Sequence, residues 1–377
     1  YARPEGGVRI ENRHPSDDRA AADAAAAPIP DRLRPWLPSS WNKEDWTGRV
    51  TMHLHSVYSD GTMTPAAVVQ AAYDKGVRSL ALTDHDTFAG VPEAWEKVRE
   101  INAKFPGDPI EFHPGAELSS QHGAHIGALD IDVSAPKLVA LVERVRVMRY
   151  QRAQAIVAHL NARFAASDDP KEKGVRITIE EVAAKSQHAN GGTIELPHIA
   201  RVLVDKGLIA HVDDAFNSYL KGDIGGSAGG ADPDAREVLE AIHAGGGKAF
   251  LNHPYTVRGA TEADGDQAAL DLLRLGMDGI EVYRPSHATS ENGKRRLDQR
   301  VAQYLQWIEQ LGKEGLHLLS APGADFHGLD THLDSIVVWM PKVLAQQLLD
   351  GLRSARDSAV AALDRVAARQ PESAHHS

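Results

Sequence analysis

The chain has 377 residues, 42% hydrophobic and 25% charged, the balance of a folded globular protein rather than a disordered one. A net charge of −11 argues against a nucleic-acid coat, and no stretch approaches the ~20 consecutive apolar residues of a membrane helix. The absence of cysteine excludes disulfides, thiolate metal sites and thiol nucleophiles, so any metal site has to be built from the 19 histidines and the acidic residues.

Residues 1–45 read as an N-terminal extension. An Ala run at Ala24–Ala27 is interrupted by Pro28 and Pro30, which predicts irregular backbone with at most one short helix. No signal-type hydrophobic core is visible, so a cytoplasmic location is the expectation; the first residue is Tyr1 rather than Met, which leaves a trimmed start as the alternative. From Arg49 the texture changes. Arg49–Leu54 alternates as a strand, and Pro65–Lys75 has helical spacing that stops near Gly76. Ser79–Leu82 is a short apolar strand, Val91–Phe105 a helix, and Ile110–Leu118 and His125–Ile131 are strands. This alternation predicts an α/β barrel or sheet.

Residues 136–232 are helical in pattern. Lys137–Phe164 reads as a long helix with room for a break, followed by Ile179–Lys185, Ile199–Lys206 and Val212–Leu220. No strand alternates with them, which predicts a helical insertion over the barrel, closed by a Gly-rich linker at 222–234. Alternation then resumes with helix Pro233–Ala244, strand Lys248–Asn252, helix Gln267–Leu275 and strand Gly279–Tyr283. Helix Arg296–Gly312, strands Leu316–Ser320 and Ser335–Trp339 and a closing helix over Pro341–Arg369 complete the pattern. The expected organisation is an extension at 1–45, a barrel built from 46–135 and 233–340, an insertion at 136–232, and a C-terminal helix and tail at 341–377. Gly245-Gly246-Gly247-Lys248 resembles part of a phosphate loop, but it precedes a strand and reads as a turn.

The chemistry-bearing residues recur at strand ends. In His53-Leu54-His55, period-two geometry points both imidazoles to one face, at the end of a barrel strand where active sites sit. Asp60 follows in the next loop. Thr83-Asp84-His85-Asp86-Thr87 places His85 after a second strand, with Asp86 expected to cap the following helix. Glu117 ends a third and His125 opens the next. His253 follows the strand through Asn252, and Asp325-Phe326-His327 repeats the alternate-residue logic. Each alone has a bland alternative, such as an exposed His pair beside a turn or a satisfied core histidine. Together, His53, His55, Asp60, His85, Glu117, His125, His253, Asp325 and His327 form a donor set for two or three divalent metals. Mixed imidazole and carboxylate donors suit manganese, zinc or iron better than calcium or magnesium alone.

The runs His53-Leu54-His55-Ser56, Ser59-Asp60-Gly61 and Thr83-Asp84-His85-Asp86-Thr87 resemble the polymerase-and-histidinol-phosphatase (PHP) family. Gly115-Ala116-Glu117, His253-Pro254 and Asp325-Phe326-His327-Gly328 match its later motifs in order, over about residues 47–340. The resemblance implies a distorted (β/α)7 barrel of the α/β class with a trinuclear metal centre. It implies one metal on His53, His55, Glu117 and Asp325, a second on Glu117, His125 and His253, and a third on Asp60, His85 and His327. The likeness is strongest to stand-alone phosphoesterases acting on nucleotides or short RNA ends, which share a run like Pro197-His198-Ile199-Ala200-Arg201-Val202-Leu203 and one like Gly279-Ile280-Glu281-Val282-Tyr283. Val57 and Tyr58 depart from the small residues usual there, and Tyr58 is expected to narrow the pocket.

These features predict a hydrolase that cleaves phosphate esters with metal-activated hydroxide. Arg201 is the candidate phosphate clamp, because a guanidinium matches phosphate bidentately. His198 is a candidate general acid or a further phosphate contact. Arg258, Arg284 and His287 are further substrate-binding candidates. The expected partner is a small phosphorylated substrate: a nucleoside 3′,5′-bisphosphate, a nucleoside monophosphate or a short RNA end. No membrane partner or stable nucleic-acid complex is expected, and the sequence is silent on oligomeric state. A histidinol-phosphate-type phosphatase and a C–N hydrolase on the same barrel are the alternatives. The nine filled positions argue against a non-catalytic module.

Overall fold

The computed structural model describes residues 45–221, 232–284, 291–328 and 333–367. The expected N-terminal extension therefore lies almost wholly outside the described residues, as do most of the Gly-rich linker and His287.

A seven-stranded sheet organises the protein, in the order β2 (Val50–Thr51), β3 (Ser79–Leu82), β4 (Glu111–Ser120), β5 (Ala124–Leu129), β6 (Lys248–Asn252), β7 (Gly279–Tyr283) and β8 (Leu319–Pro322). Met52 N donates to Pro322 O at 2.8 Å and His55 N to Phe326 O at 2.9 Å, so the strand continuing from β2 meets the one continuing from β8 and the sheet curls into a barrel. The expected distorted α/β barrel is thus observed. The distortion is β5, which pairs antiparallel with both neighbours while the other pairs are parallel. Only a three-residue 3-10 turn, Gln121–Gly123, separates β4 from β5. A connection that short permits a hairpin but no parallel crossover.

Local chemistry sets the helices around the barrel. In α1 (Pro65–Asp74), the Thr64 hydroxyl accepts from Ala67 N, Pro65 sits in the first turn, and Gly76 ends the run at φ +87°. After α2 (Val91–Lys104) and β5, α3 (Pro136–Ala166) runs unbroken for 31 residues. It is followed by α4 (Ile179–Ala183), α5 (Leu196–Asp205) and α6 (Val212–Asn217). Ile156, Leu160 and Phe164 from α3 pack with Val182, Ile199, Leu203 and Tyr219 into a core of their own. A Thr178–Glu181 capping box fixes the start of α4.

Helices α7 (Ala235–Ala244), α8 (Glu262–Arg274) and α9 (Glu291–Lys313) alternate with the later strands. The Gly245–Gly247 segment is the turn from α7 into β6, as read from the sequence. Helix α8 begins five residues before its expected start, capped by Thr261 and Asp264. Gly265 disguises that first turn: a Cβ there would lie 2.5 Å from Val257 O, so close packing demands glycine.

The expected strand Ser335–Trp339 does not form. Leu333–Ile336 is a 3-10 turn, and a two-residue strand β9 (Met340–Pro341) pairs instead with β1 (Trp46–Thr47). Ile336 and Val338 are buried, but β8 already meets the continuation of β2 and leaves the segment no barrel edge. The last helix, α10 (Lys342–Ala367), joins the outer layer through Arg356–Glu111 (2.6 Å) and through Trp95 Nε1 donating to Asp364 (3.0 Å). Among the described residues no helix is long and apolar enough to cross a membrane.

Candidate metal centre

The barrel geometry gathers the nine sequence-derived donors at one end. Leu54 is buried and bridges to Phe326, so the flanking His53 and His55 turn together to the opposite face, and Asp325 and His327 do the same on the neighbouring segment. His85 leaves β3 and bridges to Glu117 in β4. Because β5 runs antiparallel, its first turnward residue, His125, lies at the same barrel end as the C-termini of the other strands. It stands in register with Ser119 and Asn252, next to His253. Asp60 is brought in by a tight loop in which Ser56 O accepts from both Ser59 N and Gly61 N. A Cβ on Gly61 would lie 2.8 Å from His55 O, so only glycine closes that loop.

Four overlapping groups result: His55, Asp60, His85 and His327; His53, His55 and Asp325; His53, Glu117 and His253; and His85, Glu117 and His125. Glu117 is the hub. Its Oε2 lies 3.0 Å from His53 Nε2, 3.1 Å from His85 Nδ1 and 3.4 Å from His55 Nε2. Its Oε1 lies 2.8 Å from His253 Nε2 and 3.4 Å from His125 Nδ1. Asp325 Oδ1 stands 3.5 and 3.4 Å from the Nε2 atoms of His53 and His55, and Asp60 Oδ1 3.3 Å from His327 Nε2. The two Nε2 atoms of His53 and His55 are themselves 3.0 Å apart.

These side chains fit a cluster of divalent cations. Glu117 Oε2, Asp60 Oδ1, His85 Nδ1 and His125 Nδ1 are buried without a hydrogen-bond partner. Buried polar atoms are ordinarily paired, so a set of them converging on one volume marks a place where a cation satisfies lone pairs. The electrostatics agree. Burial favours the neutral acid at Glu117, but the imidazoles of His53, His85, His125 and His253 hold it well below the usual carboxylate range. Against the same burial, His327 and His85 hold Asp60 low, and His53, His55 and Arg284 hold Asp325 low. Burial opposes charge on His53 and His327 as well, yet the carboxylates outweigh it: His53 is raised well above its ordinary value and His327 to about 9. At His85 burial wins and the pKa falls to about 3. The volume thus draws positive charge onto anionic oxygens.

Backbone strain is concentrated here. His253 (φ 26°), Asp325 (φ 49°) and Asp86 (φ 47°) are non-glycine residues at positive φ, a conformation that persists only where the surroundings enforce it.

A supporting layer escaped the sequence reading. Glu281 Oε2 binds His53 Nδ1 at 2.7 Å from a fully buried position. That contact directs the other ring nitrogen to the cluster. The signal was a lone acid inside the apolar strand Gly279–Tyr283. Asp84 accepts from Ser56 N (2.6 Å), Ser56 Oγ (2.7 Å) and Ser59 Oγ (2.8 Å), shaping the loop that carries Asp60. Asn252 Nδ2 donates to Glu117 Oε1 at 3.0 Å. Asp86 does not cap α2, whose N-cap is Gly90. It accepts from Ser119 N at 2.8 Å and from Arg149 Nε at 2.6 Å. Arg149, from α3, also binds Glu195 beside α5, and so ties the helical segment to the cluster's edge. Burial lifts Glu195 to about 8 even though Arg149 opposes it.

The substrate candidates divide. Arg201 Nη2 donates to Asp60 O at 2.7 Å, which leaves most of its donors uncommitted. His198 is buried rather than on an exposed helix face. Its Nδ1 accepts from Glu195 N at 2.8 Å, which places the ring proton on Nε2. Burial and the Arg201 charge push its pKa down to about 4. A ring that is neutral at pH 7 offers its Nε2–H as a hydrogen-bond donor. Arg284 does not point outward: it pairs with Asp325 Oδ2 (2.6 Å) and Glu281 Oε1 (3.2 Å) and also bonds the Tyr255 hydroxyl, because anionic oxygens lie within its reach. Arg258 is exposed on the turn after β6, its guanidinium against Gly123. Tyr58 lays its ring against Gly90, and its carbonyl accepts from Thr193 N at 2.9 Å, joining the Asp60 loop to the helical segment.

Comparison with known proteins gives the same frame. A family model described as PHP domain matches residues 51–246. A 5′-3′ exoribonuclease of Haemophilus influenzae is 31% identical over 286 residues, which cover 74% of this chain and 90% of the relative. A 3′,5′-nucleoside bisphosphate phosphatase of Chromobacterium violaceum is 30% identical over 283 residues, covering 74% of this chain and 87% of the relative. The crystal structure of a Bifidobacterium adolescentis protein superposes with a TM-score of 0.61 at 24% identity, over 80% of this chain and 96% of that one. That last likeness speaks for the fold.

Proposed function

The chain belongs to the PHP domain family and is a metal-dependent hydrolase of phosphate esters; from that premise we propose that its substrates are nucleotides, either nucleoside 3′,5′-bisphosphates and monophosphates or the 5′ end of a short RNA. The observation that carries this reading is the convergence of nine imidazole and carboxylate donors beside Arg201, an arginine with donors to spare. The substrate classes named for the two relatives at 31% and 30% identity support the nucleotide part.

The overlapping donor groups support two or three divalent metals, manganese, zinc or iron, with Glu117 shared between sites. When bound, such metals bring the pKa of water toward neutrality and offset charge on phosphoryl oxygens. The protein's own part is placement. Glu281 holds His53, Asn252 and four imidazoles hold Glu117, and Asp84 holds the Asp60 loop. Arg201 presents a planar fork to the phosphate, and the Nε2–H of His198 donates to a phosphoryl oxygen. Arg258 lies outside this inner set and suits a second phosphate. Arg284 acts through Asp325.

The test is release of inorganic phosphate from a panel, and of mononucleotides from its RNA member, by metal-loaded protein, beside an Asp60→Ala control. The panel holds nucleoside monophosphates, nucleoside 3′,5′-bisphosphates, histidinol phosphate and a 5′-phosphorylated short RNA. Turnover of the nucleotides or RNA, lost in Asp60→Ala, is the expected result. Turnover of histidinol phosphate alone, or of nothing with metal content confirmed, would overturn the nucleotide reading.

A further inference from the structure

Tyr255 is 48% exposed although it lies two residues from the buried His253. It sits on the 3-10 turn Pro254–Thr256 that leaves β6, with its ring centroid 6.2 Å from the His253 imidazole. The turn is held rigidly: Thr256 Oγ1 meets His253 Nδ1 at 2.9 Å, and Thr256 N donates to His253 O at 3.0 Å. The ring is held too. The Arg284 guanidinium lies 5.0 Å from its centroid and bonds its hydroxyl, while the same guanidinium grips Asp325 at 2.6 Å. An aromatic ring whose orientation is tied to the candidate metal ligands, yet which leaves close to half its surface open, is costly to expose and easy to place a ligand on.

We propose that Tyr255 is a base-stacking platform that takes the nucleobase of the nucleotide whose phosphate enters the histidine cluster, an inference that rests on the nucleotide reading above. The physical case has three parts. A net charge of −11 denies the protein a general electrostatic hold on a polyanion, so affinity for a nucleotide needs a non-ionic handle. Every base offers a π face, and stacking on a fixed ring tolerates any of them. Tyrosine has few torsions to freeze, and here Arg284 has already restricted them. The competing role is structural: Tyr255 could serve only to hold Arg284 against Asp325.

The experiment compares adenosine 5′-monophosphate with ribose 5-phosphate, which carries a hydroxyl at C1 in place of the base. Calorimetric binding and turnover are measured on metal-loaded wild type, Tyr255→Phe and Tyr255→Ala, with metal content determined for each. Wild type and Tyr255→Phe are expected to favour the nucleotide. Tyr255→Ala should weaken nucleotide binding roughly five- to hundredfold while leaving ribose 5-phosphate and metal content unchanged. Equal loss on both ligands, or loss of metal, would overturn the platform in favour of the structural role. So would a nucleotide preference that survives in Tyr255→Ala, and in that case the nucleotide reading itself stands. If metal-loaded wild type shows no preference for the nucleotide, or binds neither ligand, the nucleotide reading and the platform fall together.

Discussion

Replacing Glu281 by glutamine removes one negative charge and almost no volume from beneath His53. In the native protein the carboxylate meets His53 Nδ1 at 2.7 Å and the Arg284 guanidinium at 3.2 Å, with His53 and Glu281 each 1% exposed. The contact keeps a proton on Nδ1, so that Nε2, 3.0 Å from Glu117, is the nitrogen that would give up its proton to a metal. Glutamine can still accept from Nδ1 through its amide oxygen, so the ring stays oriented; the charge is lost, and an NH2 stands in place of the oxygen that pairs with Arg284. Removing such an outer partner lowers metal affinity by about 10–100-fold, or about 1.4–2.8 kcal/mol. Glu281→Gln belongs at the lower end of that range. Glu281→Ala, which also frees the ring and leaves Arg284 to Asp325 and Tyr255, belongs at the upper end. The assay is competition with a chelator of known affinity for manganese or zinc, with folding followed by circular dichroism. If Glu281→Gln binds metal with wild-type affinity and stoichiometry, His53 is not a ligand oriented by Glu281 and the reasoning fails.

Arg201→Ala should raise KM for a phosphorylated substrate about tenfold or more while metal content stays at the wild-type level. Arg201→Lys should restore little, because a point charge does not replace a bidentate fork; a lysine variant with native KM would refute the clamp. His198 has a folded pKa of about 4 against an ordinary 6.5. Between those pH values the unfolded chain binds a proton that the native protein excludes, so stability falls as pH drops from 6.5 towards 4. Urea unfolding of His198→Gln apoprotein should show a shallower slope across that window, and superimposable wild-type and variant slopes would count against a buried neutral ring. Phe164 is 0% exposed in the core shared by α3 to α6, and Phe164→Ala should cost roughly 3–5 kcal/mol. Hydrogen exchange should locate the loosening in residues 136–221 with metal content retained; uniform loosening of the barrel would contradict a separate core.

Much of the site could be read without coordinates because its rules are local. His53 and His55 share a face through the two-residue period of a strand, and Asp325 and His327 repeat it. His85, Glu117 and His253 follow from barrel strands delivering side chains at one end. The long helix Pro136–Ala166 showed in its periodicity, and the α/β class in the alternation of elements. What the tertiary structure alone decided involves partners far apart in sequence. The reversal of β5 places His125 beside His253, across more than a hundred residues. Glu117 became the hub because β4 lies between β3 and β5, an order no local pattern encodes. Glu281 met His53 across 228 positions, and Arg149 met Asp86 across 63. Ser335–Trp339 has strand composition, but a strand needs a free edge, and the approach of β8 to β2 had removed it. Side-chain type and spacing state what a residue can do; which neighbour it does it with depends on chain closure, and that is settled only when the whole barrel forms.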